Sequence, residues 1–238
     1  LQQVVVALKA DFGVQVAANG EQFTLVDDRG EVIDREQLTT LMAKICLSTH
    51  PGGLVVVPIQ VSSAIDLVAK TYGTHVIRTK DNPTALMEAC QQHPQVALGG
   101  SAEVGFIFPQ LHPGFDAMFS IAKLIEMLTL KQQSLQELQR DLPQVCYRHL
   151  DVRCAWAMKG ALMRHLVESH PPESLELIDG IKIFGQIPQS WVLILPDAGE
   201  PLMHVYANSP DPAWVNQQLD HYRQEIELFA NLETRLTG

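Results

Sequence analysis

Apolar and polar positions along the chain change period several times, and each change predicts an element. Phe12–Val16 and Phe23–Val26 alternate with period two and read as strands on either side of Ala17–Gln22. Val4-Val5-Val6 reads as part of the same strand set, giving two or three strands over residues 1–35. Asp27–Glu31 is a turn with Gly30 where positive φ is needed. Leu38, Leu41, Met42 and Ile45 then fall on one helical face. Leu54–Ile59 is apolar throughout, the mark of a strand covered on both faces. Ser63 and Asp66 signal a capped helix closed by Gly73, His75–Thr79 a strand, and Asn82-Pro83 another helix start. Strands follow at Gln95–Leu98 and Phe106–Phe108, then helices at Asp116–Leu130 and Ser134–Asp141, with His93-Pro94 and His112-Pro113 in loops. Strands alternating with helices imply a three-layer α/β domain.

The pattern changes near Leu142–Tyr147. From Val145 it reads strand, helix (Lys159–Ser169), three strands (Leu177–Phe184, Trp191–Leu195, Leu202–Asn208) and helix (Trp214–Leu232). Successive strands flanked by helices predict an antiparallel α+β domain. The expected boundaries are therefore 1–35, 36–144 and 145–238.

Composition narrows the function classes. With 46% hydrophobic and 18% charged residues the chain is a globular one. A net charge of −10 argues against nucleic acid and anionic membrane as partners, because both need clustered Lys and Arg. No apolar run nears the length of a membrane span. Cys46, Cys90, Cys146 and Cys154 lack Cys-x-x-Cys spacing and read as packed, reduced thiols of a cytoplasmic protein. The nine histidines show no metal-ligand spacing. The chain opens at Leu1 inside an apolar run and reads as a piece of a longer protein.

Three loops carry the candidate chemistry. They are Ala17-Ala18-Asn19-Gly20-Glu21-Gln22 after Ala10-Asp11-Phe12-Gly13, Gly99-Gly100-Ser101-Ala102-Glu103-Val104-Gly105, and Leu195-Pro196-Asp197-Ala198-Gly199-Glu200-Pro201 before Leu202-Met203-His204-Val205-Tyr206. Their order and flanks, with Asp179-Gly180-Ile181-Lys182-Ile183, resemble the α-D-phosphohexomutase superfamily of phosphoglucomutases and phosphomannomutases. The likeness runs from the end of that family's second domain onward. It implies a phosphohexomutase-like three-layer α/β domain followed by an antiparallel α+β C-terminal domain. The strings Cys154–Arg164 and Trp191–Asp197 are also similar to bacterial fusions in which a mannose-1-phosphate guanylyltransferase-like domain precedes a divergent mutase-like region.

The resemblance implies what each loop would do, and the residues present depart from it. The family's first loop, Asp-Gly-Asp-Ala-Asp-Arg, holds Mg²⁺ through its carboxylates. Ala17, Asn19 and Glu21 stand at those positions here, and Gln22 replaces the Arg. Ala17 offers no ligand and Asn19 no charge, so the metal is expected to be lost. The family's third loop grips the substrate phosphate with an Arg and a Ser. Leu195 and Asp197 replace them, which removes a cation and adds an anion, while Gly199 and Glu200 keep the loop's character. The family's second loop binds sugar hydroxyls through Glu and Ser. Ser101 and Glu103 provide the same types in reverse order. Arg78 and Lys80, two apart on a strand, are expected on one face, aimed at an anion or simply solvated.

These departures predict a catalytically degenerate mutase-like module with no cofactor and no catalytic residue. Its expected partners are an N-terminal nucleotidyltransferase domain of the same chain and a phosphosugar weakly held by Arg78, Lys80, Ser101 and Glu103, with a homo-oligomer allowed. An active phosphosugar mutase and a purely structural or oligomerisation domain stand as the alternatives.

Overall fold

The computed structural model describes residues 1–236, with side chains through Phe229. The chain divides into two compact units, Leu1–Pro143 and Gln144–Gly238.

The first unit opens with helix α1 (Gln2–Leu8), where the apolar run was expected to be a strand. A three-residue run of valines is too short to declare its period. Here the backbone closes locally, with Val4 and Val5 N–H donating to the Leu1 carbonyl and Ala10 N–H to that of Val5. Val5 alone is buried. Strands β1 (Phe12–Val16) and β2 (Phe23–Asp27) form an antiparallel hairpin, and an isolated bridge pairs Val26 of β2 with Val32. Helix α2 (Arg35–Thr49) starts at Asp34, whose carboxylate accepts from the Glu36 and Gln37 N–H groups.

A five-stranded sheet of order β4-β3-β5-β6-β7 forms the centre of this unit. β3 (Leu54–Pro58) lies parallel to β4 (Val76–Thr79) and β5 (Val96–Ser101), while β6 (Gly105–Phe108) and β7 (His112–Phe115) continue antiparallel. The crossovers between the parallel strands are supplied by α3 (Ala64–Thr71) and α4 (Pro83–Gln92). Alternation along β3 separates two cores. Val55 and Val57 join the residues of α2, α3, α5 (Ala117–Lys131) and α6 (Leu135–Arg140). Leu54 and Val56 join Leu86 and Cys90 of α4 on the other face. This is the expected three-layer α/β arrangement.

Three local expectations are corrected in this unit. Ser63 precedes α3 but makes no side-chain cap. His112-Pro113 lies in β7 and not in a loop; as an edge strand β7 tolerates a proline without losing a ladder bond. The second candidate loop is shorter than expected, because Gly99, Gly100 and Ser101 belong to β5 and pair with Ile107, Phe106 and Gly105.

The second unit is an antiparallel sheet of order β8-β12-β11-β10-β9. Its strands are β8 (Cys146–Arg153), β9 (Leu175–Glu176), β10 (Ile181–Phe184), β11 (Trp191–Pro196) and β12 (Leu202–Ser209). The expected strand Leu177–Phe184 is shorter, because residues 177–180 form a turn with Gly180 at φ 64° and only Ile181–Phe184 are strand, paired antiparallel with β9 before the turn. Met158, Leu162 and Leu166 of α7 (Trp156–Glu168) and Val215, Leu219, Tyr222 and Ile226 of α8 (Pro212–Leu236) cover one sheet face.

No disulfide joins the described cysteines, and burial pushes the Cys46 thiol up to about 12 and the Cys90 thiol up to about 11. No described helix is long and apolar enough to cross a membrane.

Candidate functional site

In the first unit, two of the candidate loops lock onto each other. Asn19-Gly20 forms the hairpin tip with Gly20 at φ 75°. Asn19 Nδ2 donates to the Glu21 carboxylate at 2.9 Å, and its Oδ1 accepts from Glu21 N–H at 3.2 Å. Gln22, at the family's arginine position, donates to the Glu103 carbonyl at 2.7 Å. The Gly20 carbonyl caps the start of α5 by accepting from Ala117 N–H. Gly105 must be glycine: its φ is 106°, and a Cβ would lie 2.5 Å from the Glu21 carbonyl oxygen. The polar groups of this loop therefore face each other and the second loop. Ala17 supplies no ligand atom, Asn19 is neutral and Glu21 is the single carboxylate, so the set does not fit Mg²⁺.

Helix α2 organises the second loop. Thr39 Oγ1 accepts from Ala102 N–H, and Arg35 donates to the Ala102 carbonyl and to the Glu103 carboxylate, both at 3.0 Å. Arg35, with Ala17 and Gln22, also lines a shallow cavity of about 220 Å³. The sequence reading did not single out Arg35. The available signal was its place in the first turn of a capped helix.

The four residues expected to form a residual sugar site are in unequal states. Arg78 is engaged in structure: its guanidinium donates to the Ile59 and Val61 carbonyls and pairs with Asp66 at 2.6 Å, with the side chain only 9% exposed. Lys80 is exposed and makes no ion pair among the described residues. β4 ends at Thr79, one residue before Lys80. Ser101 is buried, and its Oγ has no partner among the described residues. Glu103 is exposed and paired to Arg35.

Glu36, close enough to feel the charges of Arg78 and Glu103, is another residue that the sequence reading passed over. Its carboxylate accepts from Ser62 N–H at 3.1 Å. Burial pushes its pKa from 4.5 up to about 7, with Asp34 and Glu103 adding to the rise and the Ser62 bond and Arg78 opposing it. The residue as a whole keeps some surface, but its carboxyl is the desolvated part.

In the second unit, the third loop is closed by its own aspartate. Asp197 Oδ1 accepts from the N–H groups of both Gly199 and Glu200 at 2.6 Å, and Oδ2 meets His204 Nε2 at 2.8 Å. The Gly199 N–H bond, then the His204 and Glu200 bonds, hold this carboxyl below the usual carboxylate range. From the other side Lys159, buried and stacked over the Trp156 ring, donates to the Asp197 carbonyl at 2.6 Å and to the Glu200 carbonyl at 2.5 Å. Leu195 is buried opposite His204 in the β11–β12 ladder. The donors that could receive an anion are thus filled by the chain itself.

The same sheet face carries a group that spacing along the chain does not reveal. His204 Nδ1 lies 2.7 Å from Asp151 Oδ1, and His149 Nε2 lies 2.8 Å from the same oxygen. His149 stacks on Tyr206 with centroids 4.5 Å apart. Burial opposes charge on His204, but the bonds to Asp151 and Asp197 outweigh it and raise its pKa. Antiparallel pairing of β8 with β12 brings these residues together across more than fifty positions of chain.

Residues 34–146 match the protein family described as phosphoglucomutase/phosphomannomutase, alpha/beta/alpha domain III. A phosphoglucomutase/phosphomannomutase of Thermococcus kodakarensis is 26% identical over 220 residues, which cover 92% of this chain and 47% of that protein. The fold is similar to a crystal structure of a phosphoglucomutase/phosphomannomutase family protein from Burkholderia thailandensis. There the TM-score is 0.79 at 17% identity, covering 95% of this chain and 48% of the other. An N-acetylphosphoglucosamine mutase of Aspergillus fumigatus gives a TM-score of 0.65 at 9% identity over 91% and 48% of the two chains. The chain spans about half the length of the curated relatives it matches. It carries a phosphohexomutase-like region.

Proposed function

We propose that this phosphohexomutase-like region is catalytically degenerate and serves as the C-terminal part of a mannose-1-phosphate guanylyltransferase-like protein of sugar-nucleotide metabolism. The observation that carries the first half is the third loop. Asp197 occupies the Gly199 and Glu200 N–H groups and His204, so an incoming phosphate meets a fixed carboxylate where it needs donors. The first loop agrees, since its Asn19 and Glu21 satisfy each other and leave no carboxylate cage. Phosphoryl transfer depends on positioned positive charge and metal, and both are missing at these loops. The second half rests on the likeness of Cys154–Arg164 and Trp191–Asp197 to such fusions. Lys159, in the first of these strings, pins the Asp197 loop from below. A phosphosugar contact, where one persists, falls to Lys80, Arg35 and Glu103, because Arg78 and Ser101 are enclosed.

The test is to assay the gene's full product for two activities. One is interconversion of hexose 1- and 6-phosphates with Mg²⁺ and a bisphosphate activator. The other is nucleotidyl transfer from GTP to mannose 1-phosphate. The second activity without the first is expected. Mutase turnover would overturn the reading and support an active phosphosugar mutase. Loss of both would favour a structural or oligomerisation domain. Within the loop, Asp197→Ser should allow detectable phosphosugar binding by calorimetry where the wild type shows none. Leu195→Arg is a poor companion change, since it would bury a guanidinium.

A further inference from the structure

We infer that His149, Asp151 and His204 form a binding site for one borderline divalent cation of the zinc type, with Asp197 as the group that orients His204. This inference is independent of the reading of the phosphate loop as inactive.

The backbone places the ligands. Asp151 pairs with His204 and His149 with Tyr206 across the β8–β12 ladder. Residues directly opposed, and those two apart on one strand, share a sheet face. One ligand atom from each of His149, Asp151 and His204 lies within 4.8 Å of the other two. Zinc bonds of about 2.0–2.2 Å in tetrahedral geometry need ligand atoms about 3.3 Å apart. The two short contacts to Asp151 at 2.7 and 2.8 Å must open by about half an ångström, and the two imidazoles, whose ligand atoms lie within 4.8 Å, must settle at the same spacing. All three side chains are partly exposed, at 38%, 46% and 21%, so a cation can enter and a fourth position stays open to solvent.

Hydrogen bonding points the same way. A neutral imidazole has one N–H, yet His204 faces a carboxylate at each nitrogen. With the N–H on Nε2 donating to Asp197, the Nδ1 lone pair faces Asp151 and requires a cation between them, either a proton or a metal. A carboxylate behind the second nitrogen of a ligating histidine is the usual means of fixing its tautomer and orientation. Asp197 is itself fixed by the Gly199 and Glu200 N–H groups. Stacking on Tyr206 orients the His149 ring. Two imidazoles and one carboxylate suit Zn²⁺, Co²⁺, Ni²⁺ or Cu²⁺ and offer too few oxygens for Mg²⁺ or Ca²⁺.

The experiment is titration calorimetry of the chelator-treated full chain with ZnCl₂, then MgCl₂, under a non-thiol reductant. Wild type should bind one Zn²⁺ and no Mg²⁺. His149→Ala and Asp151→Asn each remove a ligand and should weaken binding by at least about 100-fold, whereas Asp197→Asn should keep the stoichiometry and weaken it by about 10–100-fold. Tryptophan fluorescence checks that each variant is folded, since Trp156, Trp191 and Trp214 all lie in this unit. Cobalt substitution gives a second readout: tetrahedral visible bands should appear in wild type and vanish in His149→Ala. Absence of stoichiometric Zn²⁺ binding overturns the site. So does binding that His149→Ala and Asp151→Asn leave unchanged, which would place the metal on other histidines or on thiols.

Discussion

Replacing Glu36 with glutamine should stabilise the first unit, and only at neutral to alkaline pH. Burial raises the carboxyl from 4.5 to about 7, so the folded chain holds a proton that the unfolded chain releases. Stability from this group is highest below pH 4.5 and falls as pH rises toward about 7, beyond which the full penalty of a buried carboxylate remains. A rise of that size corresponds to about 3 kcal/mol. Residual exposure of Glu36 lowers the expectation to about 1–3 kcal/mol. Glutamine keeps an oxygen that can accept from Ser62 N–H, so the bond at 3.1 Å survives while the charge is removed. At pH 8 the first unit should melt roughly 3–8 °C higher in Glu36→Gln than in wild type. At pH 5 the two should nearly coincide. Calorimetry follows the first unit, and tryptophan fluorescence follows the second separately because all three tryptophans lie there. Destabilisation at pH 8 would mean that the carboxylate is ionised and favourable in the fold, and equal shifts at both pH values would mean that its titration is not coupled to folding; either result would refute the reasoning from burial.

Three further outcomes follow from the loops. Lys159→Met removes the ammonium from two loop carbonyls and from the Trp156 ring; it should cost about 2–4 kcal/mol by denaturant unfolding followed by tryptophan fluorescence. A loss below the error of the extrapolation would show that Lys159 does not hold the third loop. Gly105→Ala combines φ of 106° with a Cβ 2.5 Å from the Glu21 carbonyl and should cost about 2–4 kcal/mol, with faster amide exchange at Ala17–Gln22. Unchanged exchange there would separate the two loops. Millimolar Mg²⁺ should leave the melting curve of the first unit in place, since Ala17, Asn19 and Glu21 do not form an oxygen cage; a rise that Asn19→Ala with Glu21→Ala abolishes would refute this.

What the sequence determined by itself was the architecture, because periodicity and caps are local. Leu54–Pro58 is apolar at every position and proves covered on both faces; Leu38, Leu41, Met42 and Ile45 share the buried face of α2; Asn82 caps α4 by accepting from Ala85 N–H. That Ala17 offers no metal ligand and Leu195 no cation was equally legible, since a residue type either can or cannot supply one. Local pattern failed where two conformations satisfy it. Val4-Val5-Val6 became a helix, and the first half of Leu177–Phe184 became a turn at Gly180. What only the tertiary structure decided was which polar groups are engaged. Arg78 looked like an anion ligand until Asp66 and two carbonyls surrounded it, and Asp197 looked like a lost hydroxyl until it was seen filling its own loop. Glu36 gained its raised pKa from burial, which no residue type announces. His149, Asp151 and His204 met because antiparallel pairing joins positions far apart in sequence, and ligand geometry is a property of distance in space.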